Sequence, residues 1–318
     1  MTDVDSRTAA LTAAVLDAES IRHEQPPDDA PHVDLPGVGD DAVPFREVLR
    51  SGGVRLLVVL TLLNLVDEFD RAALVVLAPD IQRSLGLSDA GLGAIAGIGG
   101  LVVTLGAVPL GYLADRMRRT TLTAACTALW SVFAMAGGFV QAGWQLAGTR
   151  IVNGLGKANS GPVHNSLIAD AYPVAGRARA FAVHAFANPV GVALGPLLAG
   201  GIAVLAGGDE GWRWAFALVA VPGFALAFVA ARLKEPARGR FERIAVEGAE
   251  TAALYEPERT SIALAFARLK RIRTFYFILV GVGALGFALF SLPVFVSLFL
   301  EEHYGLDAFD RGMVTSVI

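Results

Sequence analysis

The stretch "LLNLVDEFDRAALVVLAPD", residues 62–80, places four charges within five residues, Asp67, Glu68, Asp70 and Arg71, inside an otherwise apolar run. Charge in such a run is expensive in hydrocarbon and marks a pathway for an ion or solute when it faces a water-filled interior. At about 100° per residue, Asn64, Asp67 and Arg71 share one helical face and Asp70 lies beside them. A second set sits further on. Arg150, Asn153, Lys157 and His164 fall at roughly 0°, −60°, −20° and −40° around a helix, which makes a cationic stripe. An acidic cluster on one helix and a basic stripe on another suit a central cavity where titratable groups take up and release protons beside a charged solute. The competing reading is a static salt-bridge network that only orders a helix bundle. His184 and Asn188 can line the same cavity, although a single histidine on a helix is commonly a packing residue.

These residues need long membrane-crossing elements to hold them. The chain has 318 residues, of which 54% are hydrophobic and 18% charged. A soluble domain carries about 25% charged residues. Apolar runs of about 20 residues recur, each long enough to cross roughly 30 Å of hydrocarbon. The sequence therefore reads as an all-α polytopic membrane protein. Seven complete spans can be drawn, at 54–79, 89–114, 120–141, 144–171, 179–206, 211–233 and 274–300. An eighth begins near Arg311 and is cut at Ile318, so the chain reads as the front of a longer one.

Four regions follow: a polar, acidic, proline-containing tail over 1–53 that is expected to be disordered and cytoplasmic, a six-helix transmembrane bundle over 54–233, a cytoplasmic connector over 234–273, and the start of a second bundle over 274–318. Within the connector, "SIALAFARLKRIRTF" has the apolar spacing of a helix lying along a membrane face. With the tail inside, the inner loops hold fifteen basic residues and the outer loops three, Arg83, Arg213 and Arg311. That bias orients the N-terminus to the cytoplasm of a cell membrane. The lone cysteine, Cys126, lies in an apolar run and is expected to pack as a small hydrophobe. A weak echo between "LGLSDAG" and "YGLDAFDRG" hints at two repeated halves.

The motifs make a family resemblance specific. "GYLADRMRRT", residues 111–120, resembles the G-x-L-A-D-R-x-G-R-[KR] signature between the second and third spans of the major facilitator superfamily. Gly111 suits close helix approach, Asp115 can meet a helix N-terminus, and Arg116 and Arg119 suit an anionic leaflet. Arg118 replaces the signature's second glycine, which bears on the tight turn there. "RIVNGLGKAN" resembles the R-x-x-x-G-x-G motif through Arg150, Gly154 and Gly156. "GVALGPLLAGG" resembles an antiporter motif through Gly191, Gly195 and Pro196, with Ala199 in a glycine slot, and equally suits plain small-residue packing. "GWRWAF" and "LKEPARGR" are also common phrases of the superfamily.

Within it, Asn64, Asp67, Arg150, Gly154, Gly156 and Ala158 resemble the spinster group. That group places Arg where this chain has Glu68, and Glu where it has Lys157. The paired inversion leads us to expect Glu68 and Lys157 facing each other. The resemblance implies the major facilitator fold, with its six-helix N-terminal half complete and its second half cut in helix 8. It further implies a monomeric, alternating-access transporter working through Asp67 and Arg150, coupled to protons. The implied solute is a small organic or amphiphilic anion or zwitterion, for example a lysolipid, with drug or metabolite efflux as the alternative and a non-transporting receptor or scaffold as a distant third. There is no P-loop, metal-spaced His/Cys set or nucleophile elbow, so enzyme chemistry, a cofactor, a metal or a nucleic-acid partner is not expected.

Overall fold

The computed structural model describes residues 44–207, 210–239, 241 and 269–317. Regular structure among them is entirely helical. α1 covers Phe45–Gly52, so the end of the tail expected to be disordered is helical. Val48 on α1 is fully buried, in the space left by Gly176, and this contact fixes the helix. The rest of the tail lies outside the described residues, as do residues 261–268 of the connector stretch.

The first span is two helices, α2 (Val54–Val76) and α3 (Ala78–Leu85). Pro79 has no N–H for the carbonyl four residues earlier, so the helix breaks at Leu77 and starts again. α3 stops at Gly86, which adopts the left-handed conformation at φ 62°. The second span, α4 (Asp89–Ala114), starts where Ser88 accepts from the Gly91 N–H at 3.1 Å. The third is α5 (Arg119–Gly137). The fourth comprises α6 (Gly143–Lys157), a π-helical turn at Ser160–His164 and α7 (Asn165–Ala171). The turn contains Pro162, and a widened turn is one way a helix absorbs a residue that cannot donate.

The fifth span also breaks ahead of a proline, here Pro189. Its parts are α8 (Val174–Ala185) and α9 (Ala187–Ala206). α10 (Gly211–Ala231), α11 (Arg273–Tyr304) and α12 (Ala308–Val317) follow.

α2 packs on α9, α5 on α6 and α10, α4 on α6, and α12 on α9. Close approach needs glycine at particular crossings. A Cβ on Gly156 would lie 2.8 Å from the Cys126 carbonyl oxygen and from Trp130 Cβ on α5. One on Gly195 would lie 2.6 Å from Ala72 Cβ on α2. Cys126 itself is buried with a free thiol.

Three apolar cores form among the described residues; a small one around Val66, Trp130, Ala134 and Ala220 adjoins the charged stretch, and the two larger ones sit towards opposite ends of the helices. One gathers Leu57, Leu60, Val163, Leu167 and Tyr172. The other gathers Val76, Ile81, Leu92, Leu146 and Phe216. The charged residues of α2 lie between them. Outward positions such as Leu101, Leu105, Val108 and Phe228 are apolar and exposed, as expected of a surface facing lipid. Four stretches among the described residues are long and apolar enough to cross a membrane by length and composition: Asp89–Ala114, Arg119–Gly137, Val174–Ala206 and Gly211–Ala231. α2 is comparably long, but its middle carries the four charges Asp67, Glu68, Asp70 and Arg71.

Candidate functional site

α2 and α6 bring their charges together at mid-height. Asp70 is 1% exposed and lies between two cations. Arg150 Nη1 donates to both of its carboxylate oxygens at 3.3 Å. Lys157 Nζ is 2.8 Å from Asp70 Oδ2 and 2.5 Å from Asp67 Oδ1. It also donates to the Asp67 carbonyl at 3.2 Å. Aromatic rings close the cluster: Trp130 faces the Lys157 ammonium at 5.4 Å, and Phe216 lies under the Arg150 guanidinium at 4.6 Å. Two carboxylates and two cations cancel, which is how buried charge becomes tolerable.

The pairing differs from the sequence expectation in two ways. Lys157 pairs with Asp67 and Asp70, not with Glu68. The helical rotation explains this. Asp67 and Asp70, three residues apart, face α6, while Glu68 is turned about 100° away. Glu68 faces α9 instead, where a Cβ on Gly191 would collide with it, and it pairs with Arg71 at 3.5 Å. Likewise Arg150 contacts Asp70, one turn beyond Asp67.

Along α6, Arg150 and Lys157 both reach the carboxylates of α2. Asn153 is buried and donates to the Trp130 carbonyl at 3.3 Å. The π turn then shifts the register, and His164 leaves the stripe for a buried edge-to-face contact with His184 at 5.5 Å between centroids. Asn64 donates to the His184 carbonyl at 3.2 Å. Gly154 faces α4, where a Cβ would lie 2.7 Å from the Gly99 carbonyl oxygen. Pro196 lies inside α9, and its carbonyl oxygen would be 2.6 Å from a Cβ on Gly312 of α12.

The "GYLADRMRRT" loop departs from the sequence expectation. Arg118 has φ −65° and ψ 120°, ordinary extended backbone that needs no glycine. A Cβ on Gly111 would meet Pro162 Cβ at 3.6 Å, a normal contact, so close approach does not require glycine there. Asp115 is exposed and caps no helix N-terminus among the described residues; its carbonyl accepts from Arg238 at 2.6 Å. Arg116 is exposed over the Tyr112 ring at 3.3 Å.

Arg119 is buried, and does not face a leaflet. It pairs with Asp170, and its Nε donates to Glu235 at 2.8 Å. Glu235 caps α5 by accepting from the Arg119 and Thr120 N–H groups at 3.2 and 3.0 Å. Burial pushes the Glu235 carboxyl up, but its hydrogen bonds from Arg119 and Thr120 outweigh this and hold it below the ordinary glutamate value.

At the far end of the helices is a knot built on a residue that the sequence marks only as an outer-loop charge. Arg311 is 1% exposed. It donates to Asp80 at 2.5 Å and to the Val76 and Leu306 carbonyls at 3.3 and 2.8 Å. Ser297 on α11 donates to the same Val76 carbonyl at 3.1 Å. A cavity of about 590 Å³ adjoins this knot, lined by Asp80, Arg83, Trp212, Glu301, Asp307 and Arg311 among others. It lies away from Asp70, so this space and the buried charge do not coincide. Pro79 is the one sequence feature tied to it, because a carbonyl beside a proline break offers itself to outside donors.

Comparison with known proteins fits this arrangement. The Major Facilitator Superfamily profile matches residues 60–318. Protein spinster of Drosophila melanogaster is 26% identical over 298 residues, 89% of this chain and 47% of that protein. An MFS-type efflux pump of Mycolicibacterium smegmatis is 30% identical over 256 residues, 80% of this chain and 56% of the pump. The chain thus spans about half the length of the curated relatives it matches. A crystal structure of a bacterial homolog of the human lysosomal transporter spinster, inward-facing and occupied, superposes with a TM-score of 0.68 at 24% identity, covering 86% of this chain and 58% of that one. With the profile spanning most of the sequence and the helices arranged as in that fold, the chain belongs to the Major Facilitator Superfamily.

Proposed function

We propose that this protein contributes the N-terminal half of a proton-coupled secondary transporter that works by alternating access. The single observation that carries this reading is Asp70 held between Arg150 and Lys157, with Asp67 on the same ammonium. Such a cluster at mid-height, between two apolar cores, has no purpose in lipid. Asp67 is its accessible member, with a side chain 23% exposed against 2% for Asp70. Solvent protons reach Asp67 first. One proton there changes a neutral cluster to net positive, and an anionic or zwitterionic headgroup then balances it. This favours a small organic or amphiphilic anion as solute, and the similarity to spinster proteins suggests a lysolipid-like one.

Efflux of a drug or metabolite is the second reading, supported by the similarity to the Mycolicibacterium pump and by the antiporter-like glycines Gly191 and Gly195 facing α2. We place the loops around Arg119 at the cytoplasmic side, on the bias of basic residues. Asp67→Asn tests the coupling. The variant is expected to lose proton-driven transport while keeping passive exchange of solute. Driven transport at the wild-type rate sinks the proposal.

A further inference from the structure

The histidines of the fourth and fifth spans meet where both helices are irregular. His164 closes the π turn at Ser160–His164, and His184 lies in the last turn of α8, just before the break at Phe186. Widened turns of this kind frequently mark functional sites. The two rings touch edge to face, with centroids 5.5 Å apart. His164 is 2% exposed and His184 8%, so the pair is reached past His184. Neither ring nitrogen of His164 has a hydrogen-bond partner among the described residues, and Nδ1 of His184 has none either. Buried nitrogens left in this way are costly, and a group that takes their lone pairs removes the cost.

A neutral imidazole is the commonest metal ligand of proteins. With metal–nitrogen bonds of about 2 Å, two imidazoles on one ion hold their ring centroids roughly 5–6 Å apart. The observed spacing lies in that range. A histidine ring turns readily about its Cβ–Cγ bond, and both nitrogens of His164 are bare, so either can face His184. Among the described residues no cysteine, carboxylate or further histidine joins the pair in a metal-binding group. A divalent ion would keep open coordination positions there and bring two charges with no anion to balance them. A closed-shell monovalent ion accepts two ligands and brings half the charge. We propose that His164 and His184 form a two-coordinate site for a soft monovalent ion of the copper(I) class. The site uses no residue of the Asp70 cluster, and the inference stands apart from whether the chain couples transport to protons.

The probe is silver(I) nitrate, a redox-inert ion of that class, added to the purified protein in chloride-free buffer. Cys126→Ala is the parent, because the free thiol would compete for silver. The melting temperature of the parent is expected to rise by several degrees with silver in excess. His164→Leu and His184→Leu in the same background should fold and show no such rise. His164→Gln and His184→Gln serve the same comparison where a leucine variant fails to fold. An unresponsive parent, or variants that rise as much as the parent, overturns the proposal. Stabilisation of the parent by zinc sulfate to the same extent as by silver also overturns it.

Discussion

Asp70 and Asp67 are three residues apart and differ in what surrounds them. Asp70 is sealed and answers two cations, so replacing it strands more charge than replacing Asp67. Asp70→Asn is therefore expected to lower stability by about 3–5 kcal/mol, the range for breaking a buried pair, and Asp67→Asn by clearly less. Melting temperatures of the two variants in one detergent check the order; equal losses would contradict it. The residues that gather here are legible in the sequence, because charge in an apolar run is costly unless it meets water or an opposite charge. Who pairs with whom is not. The spinster resemblance points to Glu68 opposite Lys157, whereas the helical rotation gives Lys157 to Asp67 and Asp70 and sends Glu68 towards Gly191. A rotation of one residue decides this, and a motif does not state it. His164 departs from the stripe for a related reason, since the stripe assumes regular α-helix through the π turn at Ser160–His164.

The elements are tied at their ends by polar knots. Glu235 caps α5 from a segment beyond α10, and Arg238 donates to the carbonyls of Ala114, Asp115 and Met117. Glu235 is lowered below its ordinary 4.5, so it stabilises the fold above that value. That stabilisation is lost as pH falls through its folded value. Amide exchange at Arg119 and Thr120, corrected for intrinsic rate, should accelerate on acidification below the ordinary glutamate value. In Glu235→Gln it should already be fast at neutral pH; protection equal to wild type in that variant would contradict the cap. The packing of α5 on α6 rests on Gly156, and Gly156→Val should lower the melting temperature by forcing these helices apart. A melting temperature equal to wild type would contradict that. The spans themselves are legible from hydropathy, and α4 begins and ends at the expected residues, Asp89 and Ala114. The breaks at Leu77 and Phe186 are not, although Pro79 and Pro189 announce them. Apolarity is continuous through both and masks them.

Across the whole molecule, α11 and α12 meet the earlier helices at a kinked carbonyl. Arg311 and Ser297 both donate to Val76, and Arg311 also holds Asp80. A double-mutant cycle between Asp80→Asn and Arg311→Gln should give a coupling of about 1 kcal/mol or more, and additivity would show that the contact is incidental. This contact joins helices on either side of the connector, as the packing of α12 on α9 also does. It is invisible in the sequence because loop charges there speak only to topology.

The central claim is that the carboxylates of α2 carry a proton during transport. The direct measurement is solute-driven proton movement, followed with a pH-sensitive dye inside proteoliposomes containing the natural protein or Asp67→Asn. A lysolipid and a panel of organic anions serve as solutes. The account predicts a solute-dependent pH change with the wild type and none with the variant, alongside retained passive exchange. Solute movement by the wild type with no accompanying pH change, or an undiminished pH change in Asp67→Asn, would contradict it.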